Sequence, residues 1–272
     1  MAYNLLKGKK GIIFGALDEK SIAWKTAIKA YEEGAQLILT NAPMALRMGT
    51  IHELSKKTGD APVIGADATS VEDIQNLYDT ARNHFDGGVD FILHSIGMSP
   101  NVRKGKPYGD LNYEWFQKTL DVSGLSFHKI MQVAEKLDIM NEWGSIVSLS
   151  YIAAQRTFPD YSDMAQAKAL LESIARSYGY RMAKIKKVRV NTISQSPTVT
   201  TAGTGVGGFD VFMEYAEKMS PLGNATANDC ANYCIVMFSD LTRKVTMQNL
   251  MHDGGFSSSG MTEDMVEYLR KK

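Results

Sequence analysis

Short apolar runs rich in β-branched residues alternate with helix-length amphipathic stretches along the chain, and nothing else in the sequence limits the fold so strongly. The runs at 11–15 (GIIFG), 36–40 (QLILT), 61–66 (APVIGA), 89–95 (VDFILHS), 144–150 (GSIVSLS) and 188–193 (VRVNTI) predict strands, with the core of a last strand at 249–252. Helices are predicted over 21–33, 44–57, 70–84 and 113–137, and a further one runs to about 181. A strand that is apolar without alternation is buried on both faces, which is the mark of a parallel sheet covered by helices on either side. The predicted fold class is therefore α/β: a doubly wound (Rossmann-type) parallel sheet of about seven strands with helices on both faces. Ligands of such a sheet lie at the carboxyl ends of its strands.

A length of 272 residues supports a well-buried core, and no internal repeat, linker or low-complexity tail divides it, so residues 1–272 are read as a single domain. Thirty basic and thirty acidic residues cancel, so no global field recruits nucleic acid or an acidic membrane surface. The basic run Lys184–Lys187 reads as a solvated turn before a strand. Cys230 and Cys234 share one helix face as small apolar fillers, with no further ligands beside them for a metal. Reduced thiols, the lack of a signal-peptide core in MAYNLLKGKK and the lack of a membrane-length apolar stretch point to the cytoplasm.

The chemistry concentrates in SLSYIAAQRTFPDYSDMAQAKA, where Tyr161 and Lys168 form Tyr-x6-Lys ten residues after Tyr151. A phenol donates a proton, a nearby ammonium makes it a better acid, and a second phenol lines a pocket. On a helix a seven-residue step puts both side chains on one face; the alternative is an incidental pair on a surface helix. In GIIFGALDEKSIAWKTA, Gly15 ends a strand and Ser21 heads a helix whose N–H groups suit a pyrophosphate. That spacing alone fits a structural turn as well as a phosphate site. Asp67 either accepts from an adenine amine or caps the following helix. Ser95-Ile96-Gly97 supplies a glycine where backbone passes close to a ribose, whereas His94 reads as a packed strand residue rather than a catalyst.

With these residues in place the chain resembles the short-chain dehydrogenase/reductase superfamily and, within it, the FabI-type enoyl-[acyl-carrier-protein] reductases. GALDEKSIA, the aspartate of GADATS, LHSIG, the tyrosine–lysine run, VRVNTISQSPTVTTAG and HDGGFS carry the likeness in order. Ordinary members of the superfamily resemble Tyr-x3-Lys and have a serine where Tyr151 stands. The resemblance implies NAD(P)H-dependent reduction of trans-2-enoyl thioesters in type II fatty acid synthesis, with NADH favoured over NADPH. It implies that Tyr161 hydrogen-bonds the thioester carbonyl, Lys168 holds the nicotinamide ribose and Tyr151 lines the acyl pocket. Gly15, Ser21, Ile22, Asp67, Ala68, Ser95, Ile96, Gly97, Pro197, Thr198 and Thr200 match cofactor-binding positions. Met164, Val206, Phe209 and Phe212 match the acyl-binding wall, for which the alternative is core packing. Residues at about 198–221 then read as a flap over the substrate. The implied partners are an acyl carrier protein and further copies of the chain in a homotetramer, assembled through the long helices after the fourth and fifth strands. A basic patch at Lys218 or Lys184–Lys187 is a candidate docking point for the acidic carrier.

Three features depart from that family pattern. Gln195-Ser196-Pro197 stands where Ala-Gly-Pro or Pro-Gly is usual. The second strand ends in Thr40-Asn41-Ala42-Pro43, without an acidic residue for a ribose hydroxyl or a basic pair for a 2′-phosphate, and Arg47 lies a helical turn away. A polar helix follows HDGGF. Two rival readings remain: a carbonyl or alcohol dehydrogenase on the same fold, and a non-catalytic dinucleotide sensor.

Overall fold

The computed structural model describes residues 2–47, 50–201 and 209–271. β1 (Lys10–Phe14) leads into α1 (Ile22–Glu32), β2 (Gln36–Asn41) into α2 (Pro43–Leu46) and α3 (Ile51–Lys57), and β3 (Val63–Gly65) into α4 (Val71–Phe85). After β4 (Val89–His94) come α5 (Pro100–Arg103), α6 (Tyr113–Leu120), a π-helical turn (Asp121–Leu125) and α7 (Ser126–Lys136). β5 (Met140–Ser150) precedes the long α8 (Met164–Lys186), and β6 (Arg189–Gln195) precedes α9 (Phe209–Met219) and α10 (Ala227–Phe238). β7 (Asn249–His252) and α11 (Glu263–Arg270) complete the order.

The strands form one seven-stranded parallel sheet in the order β3-β2-β1-β4-β5-β6-β7. The chain winds one way from β1 to β3 and the other way from β4 onward, so a crevice opens beyond the carboxyl ends of β1 and β4. Successive strand residues face opposite sides. Ile12, Phe14, Ile92 and Ile146 pack under α4, α7 and α8, and Ile13, Leu39, Leu93 and Val147 pack under α1, α3 and α10. The doubly wound reading of the apolar runs is thus correct.

Local chemistry explains where the predicted bounds shift. Pro62 has no N–H to give a ladder, and β3 begins after it, on the sheet edge. The helix expected over 44–57 is two helices: α2 ends at its cap Arg47 and α3 starts from its cap Thr50. Lys184–Lys187 forms the last turn of α8 and its left-handed cap (Lys187 φ +55°), where cations suit the helix dipole, rather than a free turn. Lys186 and Lys187 pair there with Asp138 and Glu142. Cys230 and Cys234 are both fully buried on the face of α10 that packs against α1. None of the described helices is long and apolar enough to cross a membrane.

Gly11 shows how tightly β1 is packed. A Cβ there would sit 2.1 Å from the ring of Phe91, which is itself stacked on Phe238 at 4.5 Å. Gly11→Ala is therefore expected to destabilise the chain by about 1–3 kcal/mol, read as a lower urea midpoint. An unchanged midpoint would mean the ring has room to move.

Candidate active site

The turn after β1 is set by Gly15, whose φ of +94° suits glycine. A side chain is also barred there: a Cβ would lie 2.0 Å from the carbonyl oxygen of Ser95 at the end of β4. The two strand ends therefore touch through backbone, at the point where the sheet order reverses. Beyond the turn, Ser21 caps α1 by accepting from the Trp24 N–H at 3.3 Å, and its own hydroxyl donates to the Asp18 carbonyl at 2.8 Å.

A cavity of about 240 Å³ opens above this crevice. Of the residues singled out in the sequence, it brings together Ile22, Ser95, Ile96, Gly97, Tyr151, Tyr161, Met164, Lys168, Pro197, Thr198, Thr200, Phe209 and Phe212. Gly15 and Ser21 shape the turn below it without lining it. Asp67 stands apart, at the end of β3, and its carboxylate accepts from the N–H and hydroxyl of Thr69 at 2.8 Å each. That is a local turn ahead of α4, whose cap is Ser70, next to a buried Ala68. Val206 lies outside the described residues, as do residues 202–208 of the stretch at about 198–221 expected to form the flap.

Tyr161 does not ride on a helix with Lys168, contrary to the one-face argument. α8 begins at Met164, and Tyr161 precedes it in a turn whose Asp160 and Ser162 have φ of +63° and +47°. The two side chains reach the same cavity from a turn and from the first coils of α8. Burial pushes the phenols of Tyr161 and Tyr151 up, so both are neutral donors, and the ammonium does not make Tyr161 more acidic. Their rings lie 5.0 Å apart, and Phe158 extends the aromatic wall, 5.3 Å from Tyr151 and 5.9 Å from Phe212.

Lys168 is buried, and its Nζ donates to the Leu149 carbonyl at the end of β5 at 2.7 Å. Burial lowers its pKa to about 8, against the pull of Glu172 one turn along the helix. Glu172 is buried too, accepting from Ser150 Oγ at 2.7 Å and Gln155 Nε2 at 3.0 Å. Beneath the cavity His94 is fully buried between the hydroxyls of Ser148 (2.7 Å) and Ser126 (2.9 Å), and burial drops its pKa to about 3. It is a neutral structural bridge.

Sequence reasoning missed one whole wall, formed by Met98, Ser99, Val102 and Arg103. Ser99-Pro100 is a cap followed by proline at the first helical position, a signal that could have placed α5 there. The π-helical turn adds to this wall: Ser123 Oγ accepts from the Met98 N–H at 2.8 Å and bonds its carbonyl at 3.0 Å. The departure at Gln195-Ser196 also finds its account. Gln195 bonds His252 Nδ1 at 2.6 Å, Thr198 Oγ1 at 3.1 Å and the Ala225 carbonyl at 3.1 Å, while Ser196 Oγ accepts from the Ala225 N–H at 3.1 Å. Side chains fix this turn where relatives are expected to use glycine.

A doubly wound parallel sheet with a tyrosine and a lysine converging above its switch point defines the short-chain dehydrogenase/reductase class. The chain belongs, more narrowly, to the family described as Enoyl-(Acyl carrier protein) reductase, which matches residues 15–257. It is 34% identical over 260 residues to the enoyl-[acyl-carrier-protein] reductase [NADH] FabI of Aquifex aeolicus, covering 95% of this chain and 94% of that one. It superposes on a FabI–NADH complex from Alistipes finegoldii with a TM-score of 0.95 and 65% identity, covering 97% of this chain and 93% of the other. An enoyl-acyl carrier protein reductase from Bacillus cereus, solved with NADP+ and an indole naphthyridinone, matches at 28% identity and a TM-score of 0.88, over 96% and 100% of the two chains. The family resemblance carried by the motifs is correct.

The depressed pKa of Lys168 carries a sign. Its folded value of about 8 lies below the ordinary 10.5, so between those values the unfolded chain binds the extra proton and stability rises with pH. Wild type should therefore gain stability relative to Lys168→Met as pH climbs through that window, as followed by denaturant melts. Parallel pH curves for the two proteins would count against a buried ammonium.

Proposed function

We propose that the chain is an enoyl-[acyl-carrier-protein] reductase that reduces trans-2-enoyl thioesters to saturated acyl thioesters with NADH, in type II fatty acid synthesis in the cytoplasm. The observation that carries this reading is the convergence of neutral Tyr161, its partner Tyr151 and the cation of Lys168 on one cavity at the switch point. The residues fit a dinucleotide: the Gly15 turn leaves backbone bare where a Cβ would strike Ser95, and α1 presents its N-terminus beside it. Ile22, Ser95, Ile96, Gly97, Thr198 and Thr200 would flank it, with Lys168 on the ribose hydroxyls and Asp67 and Ala68 toward the adenine. At the end of β2 the Asn41 amide turns back onto the Ala16 carbonyl at 2.9 Å, and no basic pair adjoins it, which supports NADH over NADPH.

The chemistry NADH would supply when bound is a hydride for the β-carbon of the enoyl thioester. The work of the chain is to place and polarise. As negative charge gathers on the thioester oxygen, the Tyr161 hydroxyl donates a hydrogen bond to it, as an oxyanion-hole donor would. Because burial keeps the phenol protonated, that donor is present across the neutral pH range. Tyr151, Phe158, Met164, Phe209 and Phe212 supply an apolar, aromatic wall for the acyl chain and exclude water. A proton taken up at the α-carbon completes the product. The region 198–221, with α9 at its end, acts as the flap of a single domain spanning 1–272.

The carrier is inferred to approach along α5. Lys184–Lys187 sits at the far end of α8 from Tyr161, and Lys218 shares α9 with Asp210, Glu214 and Glu217. Arg103 instead is exposed and lines the cavity, where it suits the phosphate of a carrier arm. The homotetramer is supported by apolar side chains left exposed on the helices after β4 and β5, among them Tyr113, Leu125 and Tyr180.

Loss of NADH absorbance with crotonyl and longer trans-2-enoyl thioesters tests the reading. Tyr161→Phe should lower kcat by about 10²–10³-fold, the usual cost of one oxyanion donor, and Lys168→Ala should weaken NADH binding. Turnover with ketones but not enoyl thioesters would move the chain to the carbonyl reductases, and tight binding without turnover would make it a sensor. For the carrier, Arg103→Glu should raise KM about tenfold more for carrier-bound substrate than for the N-acetylcysteamine thioester, or ~1.4 kcal/mol. Equal changes for both would remove Arg103 from the docking surface.

A further inference from the structure

Tyr161 is presented by a turn that the backbone would not adopt unaided. The residues on either side of it, Asp160 and Ser162, both lie in the left-handed region, which disfavours side chains other than glycine. The side chain of Ser162 gains nothing in return, since its buried hydroxyl has no hydrogen-bond partner. Such a turn persists only where its surroundings hold it.

The next residue supplies that hold. Asp163 is fully buried, and its carboxylate accepts from Ser99 Oγ at 2.5 Å, from Asn101 Nδ2 at 2.8 Å and from Thr119 Oγ1 at 2.9 Å, whose one proton is shared with the Trp115 carbonyl at 2.8 Å. Each donor is itself anchored. Ser99 Oγ also caps α5 by accepting from the Val102 N–H at 3.0 Å, Asn101 bonds both backbone groups of Asn112, and Thr119 belongs to α6. Asp163 occupies the cap position of α8 yet makes no side-chain bond to its own helix. Its carboxylate is directed wholly to α5, which carries the cavity wall at 98–103, and to α6. Val102 then packs on Met164 and Ala167, with Tyr161 against the same cluster.

The geometry points to Asp163 as the positioning residue of the reaction: it clamps the strained Tyr161 turn to the α5 wall, so that the phenol and the wall facing it are held as one body. This rests on the reading that Tyr161 meets the thioester carbonyl. It assigns Asp163 a role in turnover rather than in coenzyme binding, because the turn it holds carries Tyr161, the residue read as meeting the thioester.

The test is a double-mutant cycle on kcat with an enoyl thioester, using wild type, Asp163→Asn, Tyr161→Phe and the double variant. The dissociation constant for NADH is measured alongside by fluorescence. Asp163→Asn should lower kcat by about tenfold or more, as expected of a misplaced catalytic group, and change the NADH dissociation constant by less than about twofold. In the Tyr161→Phe background the same substitution should cost less than about twofold, since coupled residues are not additive. Should Asp163→Asn fail to fold, Thr119→Val removes one of the three donors at nearly constant volume and enters the same cycle with a smaller loss. Equal losses in the two backgrounds, or a parallel loss of NADH affinity, would overturn this inference alone. An unchanged kcat in Tyr161→Phe would overturn the functional reading and this inference with it.

Discussion

The close approach of two strand ends governs this molecule. Gly15 must lack a side chain because the Ser95 carbonyl occupies the space one would fill, and its left-handed backbone turns the chain toward α1. The constraint is steric, so no adjustment of rotamers relieves it. Ser95 continues into Ile96 and Gly97, and a Cβ on Gly97 would come within 3.7 Å of Lys168 Nζ. Lys168 in turn is tied to the end of β5 through Leu149, so the ends of β1, β4 and β5 meet at the cavity.

Around this contact the chain holds the site with paired buried polar groups. His94 bridges β4, β5 and the start of α7; Ser123 secures Met98 from the π-helical turn; Glu172 balances Lys168 while holding Ser150 and Gln155. Unpaired, any of these groups would be costly in a low-dielectric interior; paired, they fix a single geometry. The titratable groups are tuned by burial more than by one another. It raises both phenols and lowers Lys168, so the tyrosines are donors and the lysine keeps its proton near neutral pH.

The sheet was legible in the sequence because continuous apolar runs such as GIIFG and VDFILHS admit few environments other than a covered parallel strand. Tyr161 and Lys168 were legible as a pair, but the reason offered was wrong: they meet through a strained turn, and periodicity carries no information about left-handed residues. The wall at 98–103 was overlooked because α5 is only four residues long, too short to leave a hydrophobic period, although Ser99-Pro100 marked its start. The Lys184–Lys187 cluster illustrates another limit. Its charge was plain, but its place at the remote end of a 23-residue helix was fixed only by the fold. Asp163 gave no signal at all, since its three partners come from segments 44 to 64 residues away in sequence.

The pairing of β1 with β4 has a consequence for how the molecule comes into being. The cavity draws residues from Ile22 to Phe212, so no fragment released early in synthesis contains it, and parallel strands close only after their long crossovers have formed. A ligand of this cavity is therefore a ligand of the finished sheet alone. Occupancy would withdraw the completed fold from its equilibrium with open forms, at a concentration set by the ligand's own affinity. Such a ligand raises the stability of the whole sheet, not of one segment.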